Sequence, residues 1–450
     1  MLVANRGEIA VRIVRACRDE DIEAVVAVSD ADEQSLAARL AHDVVNIGPP
    51  SPTQSYLRVE QVVAGALLTG CDAVHPGYGF LAERPELADA CVAHGLTFIG
   101  PRATTIADGG DKIAARALAR AAGVPTGAGS TTLADAEAAL AFADEAGFPL
   151  LLKAAAGGGG RGMVRIANRA ELPDRFATAS EEALAAFGDG RLYAERWVEA
   201  ARHVEVQILG DTHGNVVHLG DRDCSVQRRF QKIVEEAPAT VLTDRLHHAI
   251  ATAAISLGRE LDYTGAATVE FLVDLDRGDF SFLEINTRIQ VEHPVTEVVT
   301  GIDIVREQLR IAGGHPISVA QDDVAVSGHA IECRINAESP ADGFLPSPGV
   351  ITGWDPPTGE QVRLDTHVYC GYEVPPYYDS LIAKLIVSGT DRDLAIDNTL
   401  AALGAFTVDG VDTTIDLHRT IIGHRDFRRN EITTTWLERT LLPHTPPPAP

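Results

Sequence analysis

In Glu284-Ile-Asn-Thr-Arg-Ile-Gln-Val-Glu292 polar and apolar residues alternate without a break. In an extended chain, successive side chains point to opposite faces. Glu284, Asn286, Arg288, Gln290 and Glu292 would then share one face. Ile285, Thr287, Ile289 and Val291 would line the other. A solvent-facing strand also alternates, but this polar set is unusual for one. A carboxylate and an amide oxygen suit a hard cation, and beside them stand a guanidinium, an amide and a second carboxylate. Such a row could hold a metal ion and a small oxyanion side by side.

Other segments supply what that site would need. Glu270 lies in the apolar run Thr268–Val273, expected to pair with Phe280–Asn286 across the turn Asp276-Arg-Gly-Asp279. Two carboxylates on adjacent apolar strands repel unless a cation lies between them, and magnesium bound with nucleotide phosphates fits. Leu150-Leu-Leu-Lys153 ends an apolar strand and leads into Ala-Ala-Ala-Gly-Gly-Gly-Gly-Arg161-Gly. Glycines let backbone N–H groups wrap an anion, so Gly158, Gly159 and Gly160 with Lys153 predict a phosphate-covering flap. The Gly-x-x-x-x-Gly-Lys-[Ser/Thr] loop is absent, as is Gly-x-Gly-x-x-Gly after the first strand. Asp221 through Lys232 is dense in donors and, taken alone, reads as a solvated charged loop. Arg334, flanked by apolar residues, needs an anionic partner if buried.

Lysine usage sharpens the picture. Of 38 basic residues only four are lysine: Lys112, Lys153, Lys232 and Lys384. A lysine kept in an arginine-dominated chain suggests a need for a compact point charge. Lys153 and Lys232 are assigned to the site, and Lys384, inside an apolar strand, to a structural ion pair. The net charge of −26 argues against nucleic acid and anionic membranes, so any anion site must concentrate positive charge locally. Six scattered cysteines without a Cys-x-x-Cys fit a reducing compartment, with Cys224 read as structural. No leader-like segment and no apolar run of about 18 residues stands out, so the chain is expected to be cytoplasmic.

The positioning elements follow from periodicity. Over residues 1–110, strands at Leu2–Ala4, Val25–Val28, Val44–Ile47, Ala73–His75 and Thr97–Ile99 alternate with helices. This predicts an α/β doubly wound parallel sheet, with Asn5-Arg-Gly-Glu8 and His75-Pro-Gly-Tyr78 leaving strand ends where ligands bind. Residues 111–315 form a second unit, with a small lid at about 125–197 after the hinge Gly123–Gly127. Residues 325–437 form an α+β unit with an antiparallel sheet, and 440–450 a proline-rich tail.

Together Ala4-Asn-Arg-Gly-Glu, His75-Pro-Gly-Tyr-Gly-Phe, Lys153–Met163, Arg222-Asp-Cys-Ser-Val-Gln-Arg-Arg, Glu284–Glu297 and Glu332-Cys-Arg-Ile-Asn resemble, in order, the biotin carboxylases of the ATP-grasp superfamily. The resemblance implies that ATP and bicarbonate give carboxyphosphate, whose CO₂ is captured by biotin. It implies that Lys112, Lys153, His203 and Gln227 contact ATP and that Glu195 holds its adenine end. Glu270, Glu284 and Asn286 would hold Mg²⁺ or Mn²⁺. Lys232, Arg288, Gln290, Val291 and Glu292 would bind bicarbonate, with Glu292 the general base. Arg334 would stabilise the biotin enolate, and Tyr78 would lie near the biotin ring. The chain departs from the family at Phe230, usually histidine, at Arg196, usually lysine, and in a first strand about two residues short. No lysine stands between methionines, so biotin is expected on a biotin carboxyl carrier protein or domain. A carboxyltransferase subunit is expected as a further partner, and the chain itself as a homodimer. Alternatives at this stage are another ATP-grasp ligase that consumes an amine, and a catalytically weak nucleotide-binding subunit.

Overall fold

The computed structural model describes residues 1–127, 129–156 and 162–442. The N-terminal parallel sheet runs in the order Asp43–Asn46, Val25–Val28, Leu2–Val3, Ala73–His75, Thr97–Phe98. Its alternating residues explain why it is wrapped on both faces. Val3, Val26 and Val28 pack against the Gly7–Asp19 helix, while Leu2, Val25, Ala27 and Val74 pack against Val59–Leu68 and Pro85–Ala93. A helix read from the sequence as Tyr56–Leu68 begins at Val59. Tyr56 is instead buried, stacked on Phe80, with its hydroxyl donating to Asp32 at 2.7 Å.

The large sheet is antiparallel and has eight strands. Its order is Asp279–Asn286, Gly265–Asp274, Ala201–Gly210, Val216–Arg228, Gln231–Ala237, His329–Asn336, Leu381–Gly389 and Val362–Thr366. The sequence reading places residues 111–315 and 325–437 in different units, each with its own strands. The backbone joins them, because Gln231–Ala237 pairs directly with His329–Asn336, Glu235 opposite Glu332. One continuous surface therefore runs from the Glu270 hairpin to Lys384.

The solvated loop expected at Asp221–Lys232 is a correction. Val216–Arg228 and Gln231–Ala237 form a hairpin in the middle of this sheet. Its charges are neutralised across strands rather than hydrated. Arg222, fully buried, donates to Glu205 at 2.6 Å and to Gln207, Thr268 and Thr296 at 3.0 Å. The hairpin turns at Arg229 and Phe230, both at positive φ, as a two-residue connection between strands of this twist requires.

A smaller sheet, Met163–Ile166, Leu150–Ala154 and Leu192–Arg196, is covered by the helices Ala136–Ala146 and Leu172–Phe187. The flap residues Gly158, Gly159, Gly160 and Arg161, and the proline-rich tail from 443, lie outside the described residues. Among the described residues no helix is long and apolar enough to cross a membrane.

Arg202 ties the C-terminal segment to the large sheet. Its guanidinium is buried and bonds Asp223 at 2.5 and 3.0 Å, and the carbonyls of Asn430 and Ile432 at 3.2 and 2.7 Å. Arg202→Met leaves Asp223 without its guanidinium partner and should destabilise the protein by about 3–5 kcal/mol. Thermal unfolding should show a lower transition, and hydrogen exchange should show early loss of protection over 430–442. An unchanged transition would contradict this bracing role.

Candidate active site

A cleft of about 1080 Å³ opens between the N-terminal sheet, the small sheet and the large sheet. Its walls include Lys112, Lys153, Glu195, His203, Gln227, Lys232, Glu270, Glu284, Asn286, Arg288, Gln290, Val291, Arg334 and Tyr78. Glu292, fully buried, lies behind Lys232 and Arg334. Sheet register places most of these. Glu270 stands opposite Glu284 on one side and opposite Glu205 on the other. Lys232 stands opposite Gln227, and Arg334 opposite Lys384.

Lys232 is the centre of the arrangement. Its Nζ lies 2.5 Å from Glu205, 2.8 Å from Glu270 and 2.6 Å from Glu292. Burial works against this ammonium, yet Glu205, Glu270 and Glu292 hold its pKa well above the ordinary lysine value. Reciprocally, burial alone would raise the Glu292 carboxyl, but Lys232, Arg334 and Arg222 bring it well below the usual carboxylate range. Glu270 is lowered against its own burial by Lys232 and His203. His203 Nε2 lies 3.0 Å from Glu270, and its Nδ1 accepts from the Gln227 amide at 2.8 Å.

The single extended face expected over 284–292 is the second correction. The strand ends at Asn286, and residues 287–292 bend into the helix His293–Thr300, with Glu292 as its N-cap. Pairing runs out because Asn286 faces Thr268, beyond which that strand continues beside Ala201–Gly210 alone. Pro294, without an N–H, opens the helix instead. The polar tips converge even so. Asn286 and Gln290 donate to the same Glu270 oxygen at 2.9 and 3.2 Å. Arg288 donates to the Asn286 and Gln290 side-chain oxygens at 3.3 and 3.2 Å and pairs with Glu83 at 2.9 Å. The Val291 carbonyl accepts from Lys384 at 2.8 Å. Lys384 also pairs with Glu8 at 3.1 Å, the structural role its apolar strand suggested.

At the nucleotide end, Lys112 lies 3.4 Å from Glu284. Lys153 and Arg116 both bond Glu195. Arg196 donates to Asp274 at 3.2 Å, and Phe230 stands half-exposed at the rim. At the opposite end Arg334 donates to Glu235 at 2.6 Å and to Glu292 at 3.0 Å, and Tyr78 donates to Glu8.

The Glu270, Glu284 and Asn286 side chains offer only hard oxygen donors, a set that suits Mg²⁺ shared with phosphates. Glu270 and Glu284 are cross-strand partners, and each pairs with a lysine, Lys232 and Lys112 respectively.

Sequence reasoning missed Glu205, Glu235, Glu83, Glu8 and Arg116. Glu205 was findable. His203, Glu205 and Gln207 alternate with Val204, Val206 and Ile208, the same period-two signal used for 284–292. Glu235, Glu83 and Glu8 have no such local mark. Their roles come from strands or loops distant in the chain.

Three family models cover nearly the whole chain. They are the biotin carboxylase N-terminal domain over residues 1–106, the carbamoyl-phosphate synthase L chain ATP-binding domain over 111–320, and the biotin carboxylase C-terminal domain over 332–439. Biotin carboxylase 1 of Bacillus subtilis is 47% identical over 439 residues, 97% of this chain and 98% of that relative. Among solved structures, biotin carboxylase from Campylobacter jejuni superposes with a TM-score of 0.94 at 44% identity, covering 97% of this chain and 98% of that one. The biotin carboxylase domain dimer of Hydrogenobacter thermophilus 2-oxoglutarate carboxylase, solved with MgADP, ADP and bicarbonate, does so at 0.93 and 44%, covering 100% and 98%. With sequence likeness spanning all three sheets and the whole cleft, this chain belongs to the biotin carboxylase family.

Proposed function

We propose that this protein uses ATP and bicarbonate to carboxylate biotin on a carrier, and that the residues of the cleft divide that work as follows. The observation that carries the reading is the meeting of Lys232, Arg334 and Glu292 beside Glu270. Two cations and a buried carboxylate stand next to a group suited to hold a phosphate-bound metal.

ATP enters under the small sheet. Lys112, Lys153, His203 and Gln227 contact it, and Glu195 holds the adenine end. Mg²⁺ held by Glu270, Glu284 and Asn286 neutralises phosphate charge. Bicarbonate is bound by Lys232, Arg288, Gln290 and the backbone at Val291.

Glu292 is ionised and weakly basic while Lys232 and Arg334 both bond it. An anion that takes up those cations frees Glu292. Full burial then raises its proton affinity, which suits a general base. It takes the bicarbonate proton, the bicarbonate oxygen attacks the γ-phosphorus, and ADP leaves. The carboxyphosphate splits into CO₂ and phosphate, the phosphate takes the proton of the biotin ring nitrogen, and that nitrogen attacks the CO₂. Arg334, with Nη2 directed at Glu292, stabilises negative charge developing on the biotin oxygen, and Tyr78 lies near the ring. Positioning and charge neutralisation supply most of the acceleration in such phosphoryl transfer. Exclusion of water by a closed flap preserves carboxyphosphate.

The partner is a biotin carboxyl carrier protein or domain, with a carboxyltransferase subunit completing the reaction. The chain forms a homodimer and works in the cytoplasm on a small anionic substrate, with no nucleic acid or membrane partner. The family assignment weighs against the amine-consuming ligase alternative, which the Lys232–Arg288–Arg334 set would serve poorly.

The reading is tested by ADP release from Mg-ATP with bicarbonate and free biotin. Dependence on both is expected, and ATP cleavage that needs an amine instead would overturn it. Glu292→Gln should lower bicarbonate-dependent ATP cleavage by about 10²–10⁴-fold while nucleotide binding, measured calorimetrically, persists. Loss of nucleotide affinity in that variant would remove Glu292 from the base role. Lys232→Ala should raise the bicarbonate concentration needed for half-maximal rate by roughly tenfold or more, and an unchanged requirement would contradict its place in the anion pocket.

A further inference from the structure

Behind Arg334 lies a buried acidic pair that the proposed mechanism leaves unused. Glu235 and Glu332 are fully buried and directly opposite each other on paired strands. Directly opposed residues bring their Cβ atoms to about 5 Å, within reach for two carboxyl groups to meet. Glu235 Oε1 is occupied by Arg334, at 2.5 Å from Nη2 and 2.6 Å from Nε. Glu235 Oε2 and both oxygens of Glu332 are buried and have no hydrogen-bonding partner among the described residues. Unpaired buried carboxylate oxygens are costly, and two facing carboxylates cannot both stay ionised. One proton between them pairs two of these three oxygens and leaves the pair a single negative charge.

The groups facing the pair are few. Lys232 and Cys224 approach from the central hairpin, Lys384 from the strand on the other side, Arg334 from the same strand as Glu332, and Glu292 from the start of the helix laid across them. His293, next in that helix, is buried and held neutral by its burial and by Lys384.

We propose that Glu332 is a positioning residue for biotin carboxylation: as a neutral acid it donates its proton to Glu235, so that this side of Arg334 carries one negative charge and the guanidinium stays shared between Glu235 and Glu292. The proposal rests on the function given above for Arg334. Burial, with repulsion from Glu235 and Glu292, outweighs Lys384 and Arg334 and pushes Glu332 well above the ordinary carboxyl value. Burial first and Glu292 next push Glu235 up to about 7, against Arg334 and Lys232. The proton belongs on Glu332, because Glu235 is the member that accepts from Arg334. The Arg334 backbone is fixed from outside this system. Its carbonyl accepts from His418 at 2.6 Å and from Thr414 at 3.1 Å, so only the guanidinium is free to respond.

The sign of the pH effect follows. Both folded values lie above the unfolded carboxyl value, so the shared proton is present at low pH and is lost as pH rises. Its loss places a second negative charge beside Glu235 and draws Arg334 towards that pair and away from the biotin oxygen it serves, so biotin carboxylation should decline on the alkaline side.

Two measurements on the whole protein test this. Infrared spectra of the resting protein at neutral pH should contain a protonated-carboxyl carbonyl band that Glu332→Gln removes. A missing band, or one that survives in the variant, would overturn the proposal whether or not the protein carboxylates biotin. In the free-biotin assay, Glu332→Ala should lower kcat roughly tenfold or more with KM for ATP unaffected. Glu332→Gln, which still donates to Glu235 but cannot ionise, should restore most of that loss and move the alkaline limb up by about one pH unit or more. An unshifted alkaline limb in Glu332→Gln, or no rescue relative to Glu332→Ala, would equally overturn it.

Discussion

Lys232 gathers Glu205, Glu270 and Glu292 around one ammonium, with Arg222, His203 and Arg334 paired to the same carboxylates. Their oxygens lie within 4.8 Å of one another in the pairs that share Glu205. At an effective dielectric constant near 20, each such repulsion is on the order of 3 kcal/mol. Each contact of 2.5–2.8 Å to the ammonium contributes on the order of 6 kcal/mol in the opposite sense under the same assumption. Attraction wins, but only while the ammonium stays where it is. The phosphates, bicarbonate and Mg²⁺ of the proposed reaction would compete for these same groups. Binding therefore redistributes partners rather than filling an inert cavity. The weakly basic Glu292 of the resting cleft is one consequence. The resting pairs Lys112–Glu284 and Lys153–Glu195 are others, since each sets a nucleotide-end lysine against a carboxylate.

The continuous eight-stranded sheet explains how this exchange reaches from ATP to biotin. Glu270 stands on the Gly265–Asp274 strand and Arg334 four strands away, with Lys232 on the intervening Gln231–Ala237 strand. No hinge separates them. Glu270, Lys232 and Arg334, proposed to serve phosphate, bicarbonate and biotin, are fixed in one hydrogen-bonded frame, their spacing set by strand separations of about 4.8 Å. Rigid placement of this kind is what positioning catalysis requires. Lys153 and Glu195 stand outside this frame, on the smaller sheet.

The N-terminal sheet was legible in the sequence almost strand by strand, because apolar runs between amphipathic helices leave few alternatives. The Glu270–Glu284 pairing was also legible, from a turn flanked by two apolar strands. The central hairpin was not. Asp221, Arg222 and Asp223 look solvated until their partners Glu205, His247 and Arg202 arrive from other elements. The polar row at 284–292 does converge, but for a different geometric reason than simple alternation. Only Glu284 and Asn286 owe their direction to a strand pleat. Arg288, Gln290 and Glu292 owe theirs to a bend that ends in a proline-led helix.

The scarcity of lysine proved a sharper guide than its modest statistical weight suggested. Lys112, Lys153 and Lys232 line the cleft, and Lys384 supports it from behind through the Val291 carbonyl and Glu8. Arginine takes the neighbouring tasks, where a planar fork is useful. Arg222 satisfies four partners at once, and Arg334 spans Glu235 and Glu292. An ammonium has no such plane to orient and can be approached from several directions. That is the property needed at Lys232, where three carboxylates converge on one atom. The division between the two cations therefore follows the geometry of their partners, and it is written in the sequence before any contact is known.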